Sequence, residues 1–480
     1  MTSRYEDMTG TTAREGRRFD LIVVGGGSGG YAAARTAADA GVRVAIVDQG
    51  PLGGLCILRG CMPSKTLLAS ADVAARMRRA KEFGFAPVEV QADLGTIVDR
   101  KQRLVREFAE DRIQALRDAR FTLFEGRAAF RSPHEIQVGA QVLTGASIVI
   151  ATGSTVPSMP IPGLAEAGYE TSDTIMDLRR QPDSLVVLGG GSVGTELGQF
   201  FARIGTHVTI VQRSPTLLSY HDPEIGQTLA DAFRQEGIEV WTQAEVTRVT
   251  TVGAKKTIHV RQEGRDRTVS ADMILHALGR VPNLEGLNLA AAGVEVHGGK
   301  PVLGADLRTS QPHIFVVGDA NGLTPIVHLA IQQGELAAYN ALHPSALQRR
   351  VDHRLDMDVV FTDPEVAVLG LEEAGCRAQG VGYLTASYPF ADHGKAMCLG
   401  VAQGFVKLLC DPIAGTLIGA QVVGPHAGEL VHELVAIMYY HGTVHDVARL
   451  PHYHPTLAEI FTYPAEALVE QIRTRTRNQA

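Results

Sequence analysis

The sequence predicts an α/β protein that contains two similar strand–loop–helix units and ends in an α+β segment. Two observations support this fold class. A continuous apolar run leads into a glycine-rich loop near the N-terminus, and the same pattern returns after residue 183. The length of 480 residues corresponds to roughly three domains at about 150 residues each, which leaves room for a third domain after the two units.

Composition places the chain among globular proteins. Hydrophobic residues make up 45% and charged residues 20% of it, which excludes disorder for its bulk. The 45 basic and 52 acidic side chains give a net charge of −7, so we expect no nucleic-acid partner. No apolar run reaches the roughly 18 residues that span a bilayer, so we expect no membrane partner.

The N-terminus and the cysteine content favour a cytoplasmic enzyme. Residues 1–18 lack the apolar core of a secretory signal, and we predict a short disordered leader there. The five cysteines are odd in number and too sparse for a disulfide scaffold.

The first unit has the pattern of a dinucleotide-binding loop. An apolar strand runs into Gly25, Gly27 and Gly30, which have the G-x-G-x-x-G spacing, and a small-residue helix follows. The first glycine permits a tight turn, the second lets pyrophosphate approach the backbone, and the third lets helix pack on strand. Asp48 ends the next strand, where an acid hydrogen-bonds a ribose hydroxyl. These features predict a Rossmann-like dinucleotide-binding domain.

The second unit repeats the loop with Gly189, Gly191 and Gly194. Two such domains predict two dinucleotides with electrons passing between them. Gln212 stands where an acid selects NAD, and Arg213 could meet the extra phosphate of NADP, whereas Gly194 is more typical of NAD sites. We expect NAD(P)H, with NADPH favoured over NADH; alternatively, Arg213 is a solvated surface residue.

Cys56 and Cys61 follow the first unit. In a straight helix, residues five apart have Cα atoms roughly 8–9 Å apart, beyond the ~7 Å limit for a disulfide. If the two cysteines form a disulfide, the helix must be distorted, and Gly60 supplies the conformational freedom. Strained, accessible disulfides are typically labile and catalytic. The alternative is ordinary burial of two thiols.

The C-x4-C-x-P-S-K motif of residues 56–65, after the first glycine loop, resembles the pyridine nucleotide-disulfide oxidoreductases. The resemblance extends over about residues 19 to 470 and is strongest to the dihydrolipoamide dehydrogenases of that family. It implies two Rossmann-like domains, one for FAD and one for NAD(P), and a C-terminal α+β dimerisation domain. It also implies that Cys61 lies nearest the flavin and that Cys56 exchanges with the substrate.

The resemblance assigns further residues to the cofactors. Lys65 would lie beside the flavin ring, paired with Glu196, and Asp319 would contact the ribityl chain. The other positions belong to family motifs spread along the chain: Gly54, Gly126, Ala128, Thr152, Gly153, Gly279 and Gly318.

A candidate base lies near the C-terminus. His454 precedes a proline and is followed by Thr456 and Glu459. Thr456 and Glu459 match a capping box that would merely start a helix. We favour a base oriented by an acid, because a thiol with a pKa near 8.5 is mostly protonated at neutral pH. By resemblance, this pair serves the disulfide of the other subunit, which implies a homodimer with shared active sites.

A metal site is the weaker interpretation of the histidines in this region. His441, His445, His452 and His454 lie close in sequence, but no cysteine or acid completes a ligand set, so we expect no metal.

The predicted domains follow from these motifs. An FAD-binding domain covers 19–155 and 283–350, an NAD(P)-binding domain is inserted at 156–282, and a dimerisation domain covers 351–480.

The sequence therefore predicts an FAD-dependent dithiol–disulfide oxidoreductase that acts on a small thiol or disulfide, dihydrolipoamide or a lipoyl protein being favoured. Three alternatives stay open: a glutathione-reductase-like or metal-ion reductase, a flavin transhydrogenase that does not use the disulfide, and a non-enzymatic redox sensor.

Overall fold

The computed structural model describes residues 17–479. They divide into two compact units: residues 17–63, 100–158 and 279–351 form the first, and residues 64–99, 159–278 and 352–479 form the second. Of the leader predicted over 1–18, residues 1–16 lie outside the described residues, and a strand already begins at Arg18.

The second unit contains most of the predicted NAD(P)-binding segment and the predicted dimerisation segment. It also contains residues 64–99, which the sequence places in the FAD-binding domain. A division into two units does not test the boundaries of three domains, which stay a prediction.

The first unit is built on a seven-stranded sheet. Its strands are, in spatial order, Phe121–Glu125, Val44–Asp48, Arg18–Val24, Gln141–Ile150, Glu135–Val138 and Ala128–Ser132, with Ile314–Val316 also paired to Gln141–Ile150. Leu21 and Val23 are buried in one apolar cluster, and Ile22 and Val24 in another. Burial on both faces explains the uninterrupted apolar run of this parallel strand.

Two helices of this unit pack with their backbones in direct contact. A Cβ on Gly334, in Val327–Leu342, would lie only 2.1 Å from the carbonyl oxygen of Gly29, in Ser28–Asp39. The other helices with residues in this unit are Leu55–Arg59, Cys61–Arg78, Leu94–Leu116 and Leu289–Ala292. The remaining strands form two short antiparallel pairs: Ser154–Thr155 with Val281–Pro282, and Val296–His297 with Lys300–Pro301.

The second unit contains a five-stranded parallel sheet. Its strands are, in spatial order, Glu239–Trp241, His207–Val211, Ser184–Leu188, Met273–His276 and Glu170–Thr171. An antiparallel sheet follows with strands Ala244–Val252, Lys255–Gln262 and Arg265–Ala271. The helices of this part are Leu164–Ala167, Ser192–Arg203 and Pro223–Gln235.

The C-terminal part of the second unit is an antiparallel sheet with helices. The strands are, in spatial order, Met357–Val360, Glu365–Gly370, Leu417–Gly424, Phe405–Cys410 and Leu384–Pro389. The helices are Glu373–Gln379, Gly394–Leu399, Ala427–Tyr439, Val444–Val447 and Thr462–Gln479. Within residues 17–479, no helix combines the length and apolarity needed to cross a bilayer.

One predicted helix boundary is wrong. The helix expected from Thr456 begins at Thr462, after the 3₁₀ turn Ala458–Phe461. Pro464 has no N–H to donate to the preceding turn, so the regular α-helix starts only around it.

Candidate active site

The first glycine loop has no room for side chains at two of its predicted positions. Gly25 has a φ of +105°, and a Cβ there would lie 2.3 Å from the Ala151 carbonyl oxygen. A Cβ on Gly30 would lie 1.8 Å from the Gly25 carbonyl oxygen. Gly27 precedes the helix Ser28–Asp39, which receives no side-chain cap from the described residues. Uncapped N–H groups at a helix start attract anions, so the loop suits a pyrophosphate.

Further residues complete this cradle. Asp48 accepts the N–H of Gly26 on one carboxylate oxygen at 2.7 Å. Gly54, with a φ of +81°, lies against Gly27, because a Cβ added to Gly54 would be 2.7 Å from the Gly27 Cα. The buried Thr152 hydroxyl has no hydrogen-bond partner within residues 17–479. A bound dinucleotide would occupy the cradle and supply that partner, so the residues present fit FAD.

Two other predicted positions lie on the neighbouring strands. The N–H of Gly126 donates to the Asp48 carbonyl oxygen at 2.8 Å. Ala128 begins the strand Ala128–Ser132 and is half-buried. Both residues therefore lie in the unit that holds the first loop.

The second loop repeats the geometry of the first. Gly189 also has a φ of +105°, and a Cβ on Gly194 would lie 2.1 Å from the Gly189 carbonyl oxygen. No described atom lies within 4 Å of a Cβ on Gly191. The Gln212 side-chain oxygen accepts the N–H of Gly190 at 3.0 Å, across the same 22-residue separation as Asp48 and Gly26.

The two residues predicted to select the nucleotide follow the strand His207–Val211 and differ in their surroundings. The Gln212 amide also donates to the Thr216 carbonyl oxygen at 3.3 Å, so it is held against the loop. Arg213 is exposed. Tyr220, which no motif indicates, has its hydroxyl 2.7 Å from Ser192 Oγ, at the start of the helix that follows the second glycine loop. Desolvation of the hydroxyl group raises the pKa of Tyr220, although the side chain as a whole is exposed.

The first unit also brings together motifs that lie far apart in sequence. Asp319 accepts the Ser154 hydroxyl at 2.6 Å, and Arg280 donates to the same Ser154 Oγ at 2.9 Å. Gly279 and Gly318 have φ of +118° and +62°, which favour glycine. Gly153 accepts from the backbone N–H of residue 283 at 2.9 Å. Ser154, which joins these motifs, was missed because no family motif marks it.

The cysteine pair lies at a break between two helices. Cys56 is in the helix Leu55–Arg59, and Cys61 is the first residue of Cys61–Arg78. Gly60 separates the helices, and a Cβ there would lie 3.0 Å from the Cys56 Cα. Both cysteines are half-buried. The start of a helix stabilises negative charge, which favours a thiolate at Cys61.

Lys65 and Glu196 form a partly buried ion pair within the second unit. Lys65 Nζ donates to the two carboxylate oxygens of Glu196 at 2.7 and 3.0 Å. The backbone N–H of Phe361 donates to the same carboxylate at 3.0 Å, and Lys65 Nζ lies 4.4 Å from the Phe361 ring centroid. Phe361, which the sequence did not indicate, thus helps to fix the position of the cation.

His454 and Glu459 form the predicted base–acid pair. His454 Nδ1 lies 2.9 and 3.1 Å from the two Glu459 carboxylate oxygens. Because Nδ1 faces a carboxylate, it carries the proton, and the neutral ring has its basic lone pair on Nε2. The hydrogen bond from His454 holds the pKa of Glu459 below its ordinary value, so the acid stays ionised. The His454 side chain is 76% exposed and accessible to a reacting thiol.

The other histidines of this region have separate partners. His452 Nε2 contacts Glu433 at 2.8 Å and is buried. His441 contacts Arg354 at 2.9 Å. These side chains therefore do not converge on a common point with His454.

Three carboxylates of the second unit also lie close together: Asp222, Glu224 and Glu373. The buried ammonium group of Lys407 contacts all three, with a distance of 3.1 Å to Asp222. The single positive charge of Lys407 therefore balances part of the negative charge of this cluster.

The chain matches two family models. Residues 19–334 match the pyridine nucleotide-disulphide oxidoreductase model. Residues 357–465 match the dimerisation domain of the pyridine nucleotide-disulphide oxidoreductases.

Relatives and solved structures extend the likeness to nearly the whole chain. It is 33% identical over 423 residues to dihydrolipoyl dehydrogenase of Chlamydia trachomatis, covering 87% of this chain and 89% of the relative. It is 33% identical over 417 residues to mercuric reductase of Staphylococcus aureus, and the match covers 86% of this chain and 76% of that relative. LpdA of Mycobacterium tuberculosis has a TM-score of 0.84 at 28% identity, covering 94% and 99%. The HOCl-induced flavoprotein disulfide reductase RclA of Escherichia coli has a TM-score of 0.82 at 25% sequence identity, and the match covers 93% of this chain and 99% of RclA.

Proposed function

Because the chain belongs to the pyridine nucleotide-disulphide oxidoreductase family, we propose that it interconverts a small dithiol and its disulfide, with dihydrolipoamide or a lipoyl protein as substrate. The observation that supports this most strongly is the 2.9 Å hydrogen bond between His454 and Glu459 in a chain that also carries Cys56 and Cys61. A relative called dihydrolipoyl dehydrogenase agrees with it.

The protein is an oxidoreductase that uses FAD and NAD(P)H, and its dimerisation domain implies a homodimer. FAD, when bound, supplies two-electron transfer between the cysteine pair and the nicotinamide. We assign FAD to one set of residues: Gly25, Gly27, Gly30, Asp48, Gly54, Gly126, Ala128, Thr152, Gly153, Gly279, Gly318 and Asp319. We assign the nicotinamide dinucleotide to the second loop: Gly189, Gly191, Gly194, Gln212 and Arg213.

In the proposed dithiol oxidation, His454 Nε2 accepts the proton of one substrate thiol. The thiolate attacks Cys56 of the Cys56–Cys61 disulfide, forms a mixed disulfide with Cys56 and releases Cys61 as a thiolate. The second substrate thiol gives its proton to water and attacks the substrate sulfur of the mixed disulfide, which releases the oxidised substrate and the Cys56 thiolate; one substrate proton is then on His454 Nε2 and the other in solvent. The substrate loses two electrons and two protons, and the cysteine pair gains the two electrons.

Charged partners have supporting roles in this proposal. Glu459 keeps His454 Nδ1 protonated and stabilises the imidazolium that forms when Nε2 accepts a proton. Lys65 is the residue that would favour the electron-rich reduced form of the flavin when it is bound, and Glu196 holds Lys65 in place.

We also propose NADPH rather than NADH as the nicotinamide. Gln212 carries no negative charge to repel a 2′-phosphate, and the adjacent Arg213 is exposed to bind one. The cytoplasmic location stays a prediction.

The test mixes FAD-loaded protein with dihydrolipoamide and follows the reduction of NAD and NADP separately. We expect rapid turnover, faster with NADP, and its loss in Cys56→Ser. Cys398→Ser, at an exposed cysteine, is the matched control and should retain activity. If wild-type protein reduces neither nucleotide, the lipoyl assignment fails. If Cys56→Ser keeps its turnover, the transhydrogenase alternative replaces the proposal.

A metal-ion reductase is the second candidate, because a mercuric reductase is equally similar. NADPH oxidation that depends on mercuric ion, without any lipoyl turnover, would favour it.

Shared active sites are tested by complementation. Cys56→Ser and His454→Gln homodimers should each be inactive, whereas heterodimers formed from the two should regain activity, since one of their two sites then has both residues intact. Heterodimers without activity would contradict sites built from both subunits.

A further inference from the structure

His452 is bonded on both ring nitrogens in the C-terminal part of the second unit. Its Nε2 lies 2.8 Å from the carboxylate of Glu433, which belongs to the helix Ala427–Tyr439. Its Nδ1 lies 3.1 Å from the hydroxyl of Thr462, at the start of the last helix. The His452 side chain is only 8% exposed, so little water competes for these contacts. His452 therefore ties the segment that carries it to two helices.

The two contacts also fix the protons of the His452 ring. An ionised carboxylate only accepts hydrogen bonds, so Nε2 carries the proton that it donates to Glu433. In the neutral ring, Nδ1 then has a lone pair, which accepts the proton of the Thr462 hydroxyl. Any other orientation of the ring would leave buried polar atoms unpaired, which is unfavourable. The ring of His452 is therefore a fixed anchor.

The proposed base follows this anchor by two residues. The His454 side chain is 76% exposed, and it lies in the connection between the helix Val444–Val447 and the 3₁₀ turn Ala458–Phe461. An exposed side chain in an irregular segment is held only weakly by packing. The orientation of His454 therefore depends on how the segment around it is held.

The contacts of the two histidines are nested in sequence. The inner contact joins His454 to Glu459 at 2.9 Å. The outer contact joins His452 to Thr462 at 3.1 Å. Thr462 directly follows the 3₁₀ turn that contains Glu459. The outer contact therefore holds the segment that carries the base next to the segment that carries its acid.

We propose that His452 is a positioning residue for the thiol chemistry. By linking Glu433 and Thr462, it holds the segment in which His454 keeps Nδ1 on its acid and Nε2 open to the substrate thiol. His452 itself exchanges no proton with the substrate. This inference rests on the proposed function, because it concerns the base of that reaction.

The first test isolates the thiol step. Oxidised, FAD-loaded protein is mixed anaerobically with dihydrolipoamide in the absence of nucleotide, and flavin absorbance follows a single reduction. His452→Phe keeps a ring but loses both hydrogen bonds, and we expect it to slow this reduction about tenfold to hundredfold near neutral pH, because a small misplacement of a catalytic group costs this much. Reduction of the flavin by NADPH does not involve the base and should stay within about twofold of wild type.

The pH dependence separates positioning from a general loss of structure. A free thiol has a pKa of about 8.5, so at about pH 9.5 the substrate is already largely thiolate and needs no base. The defect of His452→Phe should therefore shrink to within about threefold at that pH, as should the defect of His454→Gln. A defect of constant size across this range would show general structural damage and would overturn the inference.

Thr462 offers a second variant that leaves the imidazole in place. Thr462→Val keeps the shape but not the hydroxyl and should show the same defect to a smaller degree, whereas Thr462→Ser should stay within about twofold of wild type. His221→Gln is the matched control, because His221 is also buried and bonded on both nitrogens, to Glu372 at 2.9 Å and to Asp358 at 3.1 Å. It should lose stability but keep the rate of the thiol step. An equal defect in His221→Gln, or no defect in His452→Phe and Thr462→Val, would overturn the inference.

A spectroscopic test does not depend on the lipoyl assignment. Nitrogen NMR of histidine-labelled protein at alkaline pH shows which ring nitrogen is protonated, and the His454 signals are assigned by their loss in His454→Gln. We expect a proton on Nδ1 in the wild type and a mixture of both tautomers in His452→Phe. Wild-type protein that dihydrolipoamide does not reduce would refute the lipoyl substrate, while the tautomer of His454 would still decide the role of His452. An unchanged proton on Nδ1 in His452→Phe would overturn that role.

Discussion

Replacing Glu196 by glutamine should destabilise the second unit by about 2–3 kcal/mol. The Glu196 side chain is 6% exposed and accepts Lys65 Nζ at 2.7 Å as well as the Phe361 N–H at 3.0 Å. Removing one partner of a buried ion pair typically costs about 3–5 kcal/mol, because the other charge stays behind. The Lys65 side chain is 33% exposed, so water recovers part of this cost and brings the expected loss to about 2–3 kcal/mol.

Equilibrium urea unfolding measures this loss. The chain has one tryptophan, Trp241, which is buried in the second unit, so its fluorescence reports on the unit that contains the ion pair. Asp231→Asn is the control, because Asp231 and Arg234 are 2.8 Å apart but 56% and 44% exposed. Such exposed pairs contribute about 0–1 kcal/mol. A loss below about 0.5 kcal/mol for Glu196→Gln, or equal losses in the two variants, would refute the reasoning.

Three further predictions concern the loop, the buried histidine and the base. Gly194→Ala should abolish nicotinamide binding and lower stability, since its Cβ would lie 2.1 Å from a backbone oxygen. Gly191→Ala, whose Cβ meets no described atom within 4 Å, should keep wild-type stability and lose only affinity; equal thermal destabilisation of the two variants would contradict this. Burial lowers the pKa of His221, but the hydrogen bonds with Asp358 and Glu372 outweigh burial and raise this pKa to about 9. Protonated His221 should therefore contribute about 3 kcal/mol to the free energy of unfolding at pH values below its unfolded-state pKa near 6.5. This contribution should be lost as the pH rises through about 9. The stability difference between wild type and His221→Gln should then shrink at alkaline pH, and a constant difference would be inconsistent with it. His454→Gln should raise the pKa of Glu459 toward its ordinary value, because the hydrogen bond from His454 is what mainly lowers it; isotope-edited infrared spectroscopy of the carboxylate would detect no change if the two side chains did not interact.

The features that could be predicted from sequence are those with a local backbone requirement. Gly25 and Gly189 need a φ of +105°, and Gly30 and Gly194 have no space for a Cβ, so the glycine spacing marks both loops. The apolar run predicted after residue 183 forms the strand Ser184–Leu188, because strands buried on both faces are apolar throughout.

Residues that act through distant contacts gave no such signal. Glu196 holds Lys65 across 131 positions in sequence, and only the family resemblance indicated that pair. Phe361 and Ser154 approach Glu196 and Asp319 from 165 positions away. Helix boundaries also depend on tertiary contacts, which is why the last helix begins at Thr462 and not at the apparent cap at Thr456.

The central claim is that the Cys56–Cys61 pair stores electrons between the substrate and the flavin. An anaerobic reductive titration that counts the electrons taken up per FAD tests it most directly. We predict that wild-type protein takes up two electrons in the flavin and two more in the disulfide, whereas Cys56→Ser takes up only the two of the flavin. Wild-type protein that takes up no more electrons than Cys56→Ser would contradict a redox role for the pair.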